Sequence, residues 1–466
     1  MQKLEKFFKS HIYLILVSAL TFFVWSYRFF IPSENLVSLT FNSMFLFSIP
    51  LVVILVLFKS TIATAPLLIS CLFIIGFDAD ISTIDSALSG ILNVILIVIG
   101  FIVHFIRFKP KFKLKSLGLG LLLASVSYII PLIYTPVNEV SILLVFLVPF
   151  YLVTYLFYAN TIDKNELNYL MRFFLYTSIM LSFQLIALMS DGFKDFKFLH
   201  DLAAFQQLHV DSPAWGNVND LTIQLVLMSS CMIFYLKKYK NILPWLYLGW
   251  MGFWIIISDS RGSIVTITLY AIGVAIYVLF KGRRHQRINL LITIILTGIF
   301  MYVFRDLVTM VYRSFMDTIN FDDPNGMLTG RLTLWFDPEY GAVTVFKRYP
   351  IFGSGWNTPH WFLNEQNRIT IYHSTFFQVL ATGGLVGILI LIYHFYEVGK
   401  LFVRKRRFIA VKAFLFTYLL TQFHGLIDNT QYMIHYSLVT LIAFAVIDNA
   451  NLTDIEIGVL GDASVN

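Results

Sequence analysis

The chain reads as long apolar runs separated by short polar gaps. Fourteen runs approach or reach the roughly 20 residues that a helix needs to cross a bilayer. They lie at about 11–31, 39–58, 61–77, 88–106, 117–134, 140–159, 170–190, 218–236, 242–258, 262–280, 288–304, 374–397, 408–427 and 430–448. The gaps leave little room for strands, and an open sheet edge cannot face lipid. The pattern predicts an all-α polytopic membrane protein of about fourteen transmembrane helices. One large extracytoplasmic loop is expected between the eleventh and twelfth.

The gaps alternate in charge. With the N-terminus placed in the cytoplasm, the inner gaps hold 24 of the 34 Lys and Arg residues, including dense clusters at 107–115 and 400–412. This is the asymmetry that orients a membrane protein. Few basic residues fall outside, among them Lys194, Lys197, Arg261, Arg305, Arg313, Arg331, Arg348 and Arg368. The expected division is a helix bundle over 1–304, the large loop over 305–373, further membrane helices over 374–448 and a short acidic tail over 449–466. That tail has no basic residue, so its cytoplasmic placement rests on parity alone.

Composition agrees. Hydrophobic residues make up 58% and charged residues 13%, against roughly 25% charged in soluble domains, and the mean hydropathy is +0.75. The net charge of +7 raises nucleic acid as a partner. Its placement in alternate gaps makes it a topology signal instead, so no nucleic-acid partner is expected. Cys71 and Cys231 both lie in apolar runs and read as small hydrophobes, not as a disulfide framework or a CxxC metal site. The basic start followed by an apolar run is like a signal peptide. It continues to Phe30 with no small-residue cleavage site, so it is expected to be a first anchor.

The candidate chemistry lies on the outer side. In "WIIISDSRGSIV" Arg261 begins the tenth helix, with Ser260 or Asp259 as its N-cap. A helix N-terminus is partly positive and does not favour an arginine. Two readings stand. Arg261 pairs with Asp259 or snorkels to the interface; or the guanidinium and the free helix N–H groups form an anion site, with Gly262 letting a ligand approach. In the large loop Arg331, Arg348 and Arg368 are forked donors suited to phosphate or carboxylate. Weak helical periodicity over 331–348 predicts short helices on the membrane surface with Leu334, Trp335 and Val345 turned down. Gly353 and Gly355 in "PIFGSGWN" predict a tight turn, with a phosphate cradle as the sharper alternative. Trp335, Trp356 and Trp361 suit either sugar stacking or the interfacial aromatic belt. His373, beside the expected N-cap Ser374, is a candidate proton carrier or a structural histidine. His424 and Asp428, four apart, share a helix face as a functional or a capping pair. Together these residues point to an anionic substrate handled at the outer face.

The order of motifs resembles the O-antigen ligase and polymerase superfamily of membrane glycosyltransferases. The resemblance rests on "WGNVND" (215–220), "SDSRGS" (258–263), "GRLTLW" (330–335), "YPIFGSGWN" (349–357), "YHSTFFQVLATGGLVGIL" (372–389) and "HGLIDN" (424–429). It implies a GT-C-like architecture and transfer of a glycan from a polyprenyl diphosphate to an acceptor hydroxyl, with no nucleotide sugar, metal or other cofactor. Carried over, Arg261 and Arg331 bind the diphosphate and His373 activates the acceptor. Asp259, Asn219, Arg348, Trp356, His424 and Asp428 join the expected substrate-binding set. The family usually has Asn after this histidine; here it is Ser374, which puts the local hydrogen bonding of His373 in question. The expectation is an inner-membrane polysaccharide polymerase acting on undecaprenyl-diphosphate-linked oligosaccharide, beside a flippase and a chain-length regulator. A ligase is the alternative within the class. A transporter is the alternative outside it, and would need charged or broken helices near the midplane. Only Pro66, Asn93 and Gln184 stand there, singly.

Overall fold

A computed structural model describes residues 1–30, 39–74, 84–135, 139–189, 215, 218–317, 323–328, 330–355, 372–431 and 433–451. Every regular element among them is helical. Each of the fourteen apolar runs falls on a helix or a helix pair. Among the described residues seven helices are long and apolar enough to cross a membrane: Leu39–Leu57, Leu88–Phe108, Leu167–Met189, Val218–Lys238, Arg261–Lys281, Arg284–Val303 and Thr375–Lys405. An eighth crossing arises if the bent pair Gln2–Phe8 and His11–Ser26 counts as one span. The remaining apolar helices, such as Gly118–Ile133 and Ile434–Asn449, are shorter. The fold is thus all-helical with several membrane-length helices, and not every run is long enough to span on its own.

Burial sorts the helices by what they face. Ile434–Asn449 is buried along nearly its whole length and packs on Glu139–Thr161 and Ala65–Ile74. Leu167–Met189 and Val218–Met228 are likewise enclosed. In contrast Ile84–Phe108 exposes Ile91, Val94, Ile95, Val98, Ile102 and Ile106, and Arg284–Val303 exposes Leu291, Ile294, Ile295 and Ile299. Contiguous apolar faces of this length have no place against water and need lipid or a partner.

One long helix is broken. Within Thr375–Lys405 the backbone of Gly384 is non-helical, with φ +60°. The segment 350–355 of the loop fills the break. Ser354 N donates to Ala381 O at 3.1 Å and Gly355 N to Thr382 O at 2.9 Å, while Leu385 N and Val386 N donate to Pro350 O and Ile351 O at 2.9 and 3.0 Å. A break leaves orphan groups that a helix must satisfy elsewhere. Here the groups at the break make these four backbone bonds with one segment, and Ser354 Oγ adds a fifth by donating to Ala381 O at 3.0 Å. Gly353 and Gly355 both have positive φ, so the turn expected of "PIFGSG" is present. Its amides at Ser354 and Gly355 are committed to the helix and are not a phosphate cradle.

The short loop helices correct a second expectation. Arg331–Phe336 and Ala342–Arg348 form where periodicity places them. The face expected to turn down onto the membrane is covered by protein: Trp335 and Val345 are buried in a small core with Ala342, Tyr372 and Ala381, and Leu334 is partly buried against it. The Trp335 ring stacks on Phe377 at 4.6 Å and its Nε1–H donates to Tyr372 O at 2.7 Å. An indole taken out of solvent needs a partner for its one donor, and this carbonyl supplies it.

Candidate active site

Three helix ends and one turn converge at one end of the bundle. These are the start of Val218–Met228, the start of Arg261–Lys281, the start of Thr375–Lys405 and the turn after Ile409–His424. Asp428, in that turn, is the centre. It is 7% exposed. Its Oδ1 accepts from Asn429 N at 2.8 Å and lies 3.2 Å from His373 Nδ1. Its Oδ2 accepts from Asn219 Nδ2 at 3.2 Å and lies 3.8 Å from Arg331 Nη2 and 4.0 Å from His424 Nε2. Burial alone would raise the Asp428 carboxyl. The imidazoles of His373 and His424 outweigh that and hold it well below the usual carboxylate range. Arg331 is pulled below its ordinary value by burial; Asp428 opposes this and the neighbouring Arg261 charge adds to it. Arg261 and Arg331 therefore share one electrostatic neighbourhood.

The local backbone explains why these side chains meet. His373 has φ +46°, an uncommon conformation for a non-glycine residue. Tyr372 is pinned on three sides, by Trp335 on its carbonyl, by Gln378 Oε1 on its N–H at 2.9 Å and by Tyr340 O at its hydroxyl at 3.2 Å. Ser374 is the N-cap, as expected, but its side chain makes no capping bond. The next residue carries the attachment instead: Thr375 N donates to Gly425 O at 2.8 Å. This ties His373 to the turn that holds Asp428.

The start of the Arg261 helix is also held from outside. Ser260 is its N-cap but makes no side-chain cap bond. Its hydroxyl donates to Asn219 Oδ1 at 2.5 Å, so Asn219 bridges Ser260 to Asp428. Asp259 is in the left-handed region with φ +54°, and its Oδ2 accepts from Ser314 Oγ at 2.6 Å. Gly262, expected to let a ligand approach the backbone, does not open such a space. The His424 imidazole fills it.

Among the residues singled out by sequence, the structure brings together Arg261, Arg331, His373, Asn219, His424 and Asp428. Asp259 precedes the N-cap of the Arg261 helix and turns to Ser314 instead. Arg348 is exposed at the end of its helix, with its guanidinium 5.7 Å from the Tyr349 ring. Trp356, Trp361, Arg368, Lys194 and Lys197 lie outside the described residues. Sequence reasoning missed Asp220, whose carboxyl is near enough to Asp428 to feel its charge. An acidic residue in the first turn of an otherwise apolar helix was the available signal.

The His373–Asp428 pair has a chemical consequence. An ionised carboxylate only accepts, so in the neutral ring Nδ1 carries the proton and Nε2 keeps its lone pair. The His373 side chain is 37% exposed. It can therefore meet a substrate, while Arg331 and the Arg261 helix start offer positive charge alongside.

The fold and this cluster together define an all-helical polytopic membrane protein with a charged site at one end of its bundle. Residues 246–392 match the family model described as O-antigen ligase, which supports the O-antigen ligase and polymerase superfamily. The match contains Arg261, Arg331, Arg348 and His373; Asn219, His424 and Asp428 come from outside it. No curated protein matches the chain.

Proposed function

We propose that the protein is a polysaccharide polymerase of the membrane, transferring a glycan from a polyprenyl diphosphate to the hydroxyl of another lipid-linked repeat unit. The observation that carries this reading is the shared carboxylate of Asp428, with His373 at 3.2 Å and Arg331 at 3.8 Å. Nε2 of His373 takes the acceptor O–H proton. The acceptor oxygen attacks the anomeric carbon as the bond from that carbon to the diphosphate oxygen breaks. The electron pair leaves with the diphosphate, whose growing charge Arg261, Arg331 and the Arg261 helix N-terminus stabilise. A one-step displacement inverts the anomeric centre. The reading includes no metal and no other cofactor.

In this reading the fourteen helical runs all belong to a GT-C-like membrane bundle in the bacterial inner membrane. The termini are cytoplasmic and the Asp428 cluster is on the outer face. The carrier is undecaprenyl diphosphate, and a flippase and a chain-length regulator work beside it. The alternation of basic gaps supports this orientation. The description of the matching family supports a second reading, a ligase that moves finished glycan to a different acceptor. Purified protein in lipid nanodiscs with a lipid-diphosphate-linked repeat unit and EDTA is the test. A ladder of lengthening products supports polymerase. A single added glycan, made only when a foreign acceptor is supplied, supports ligase. No transfer until a divalent metal is restored would overturn the metal-free mechanism.

A further inference from the structure

The end of the bundle opposite Asp428 carries a second feature that the transfer chemistry does not use. From Arg261 to Gly273 the helix runs twelve residues, about 18 Å. Around and beyond Gly273 lies a groove of about 300 Å³ between the Val218–Lys238, Arg261–Lys281 and Ile409–His424 segments. Its walls are apolar: Ile233, Leu236, Val274, Val278, Ala413 and Phe416. The Phe416 ring lies where a Cβ on Gly273 would be, at 2.6 Å, so the missing side chain lets the ring lie against the helix.

The polar lining of this groove is Gln286, Tyr277, Lys237 and Lys412. Gln286 is spent on the protein, donating to Leu236 O at 3.0 Å and accepting from Arg283 N at 2.8 Å. Lys237 and Lys412 are exposed. Among the described residues no carboxylate comes within 4.0 Å of either. Lys238 differs, lying over the Phe234 and Tyr239 rings. A neighbouring small cavity shares Lys237 and Ile409, and a third of about 310 Å³ is lined by Arg404, Lys405, Arg406 and Arg407. Among the described residues no acidic side chain lines any of the three.

We propose that this groove is a site for an anionic glycerophospholipid, with an acyl chain between the helices and the phosphate held by Lys237 and Lys412. An apolar slot needs an apolar occupant, and two ammonium groups at its mouth with no carboxylate partner among the described residues select a negative headgroup. The site is separate from the Asp428 cluster and stands or falls without the transferase reading.

The test is native mass spectrometry of the detergent-purified full chain with phosphatidylglycerol or phosphatidylcholine added. Wild type is expected to retain phosphatidylglycerol and not phosphatidylcholine. The double variant Lys237→Gln/Lys412→Gln should lose that retention by roughly tenfold or more. Lys347→Gln, an exposed lysine in the loop, should retain it fully. All three changes are at exposed positions, and size-exclusion profiles check that the fold is intact. Three results would overturn the proposal: equal retention of the two lipids by wild type, unchanged retention by the double variant, or an equal loss in Lys347→Gln. Complete displacement by millimolar inorganic phosphate would also overturn it, because a free anion should not displace an inserted chain.

Discussion

Gly262 and His424 occupy adjoining space: a Cβ added at Gly262 would lie 2.6 Å from Cε1 of the His424 imidazole. The glycine at the start of the Arg261 helix is thus a seat for a histidine that in turn faces Asp428. His424 is 3% exposed. Gly262→Ala should displace it and disturb the hydrogen-bonded carboxylate. Overpacking of this kind costs about 1–3 kcal/mol. The expected outcome is a folded protein with transfer reduced at least tenfold, measured by product ladder and thermal unfolding on one preparation. Full activity in this variant would show that the seat is unimportant.

Asp428 should matter more through its charge than through its shape. Asp428→Asn keeps an oxygen near His373 but allows the ring to take the other tautomer, and it removes the charge beside Arg331. A loss of about 10²–10⁴ in turnover is expected, as for other positioned acid–base groups. Substrate binding should change much less. Comparing kcat with KM in a steady-state assay separates the two effects. A loss confined to KM would point to a binding role alone.

The same carboxylate sets a pH signature. Its folded pKa is depressed, below the roughly 3.9 of an unfolded aspartate. A depressed acid contributes stability that is fully present above its unfolded value and lost as pH falls toward the folded one. The stability that Asp428 contributes should therefore be full and constant between about pH 5 and 8, and should decline below about pH 4. Asp428→Asn should lie below wild type at neutral pH and converge with it in acid. Parallel curves across that range would count against the assignment.

The helices were legible because an apolar run in a membrane protein has few other fates. Among the described residues each of the fourteen expected runs is mostly helical, and the motif order pointed to the family that 246–392 matches. The break at Gly384 was not legible. A glycine pair inside an apolar helix is common in membranes, and nothing local says that 350–355 will fill the gap. The inward turn of Trp335 and Val345 was hidden for a similar reason. Periodicity shows that a helix has an apolar face, not whether lipid or protein covers it. Asp428 as a centre, rather than one contact among several, depends on a turn bringing Asn219 and Arg331 to it from 209 and 97 residues away.

The broken helix gives a prediction with an internal control. Gly384 has φ +60° and ψ −156°, and a Cβ there would approach Gly353 N and Ile351 O at 2.5 and 2.6 Å. An L side chain in this region is strained by about 1–3 kcal/mol before any clash. Gly384→Ala should therefore expel the 350–355 segment, orphan the carbonyls of Ala381 and Thr382, and lose the anchor that ties the loop to the His373 helix. Poor recovery of monodisperse protein and a clear fall in thermal unfolding temperature are expected. Gly298 is the control: it sits inside the Arg284–Val303 helix, and a Cβ added there would meet nothing within 4 Å. Gly298→Ala removes only backbone freedom and should be neutral or stabilise by up to about 1 kcal/mol. Equal behaviour of the two variants would mean that the break is not held by its glycine.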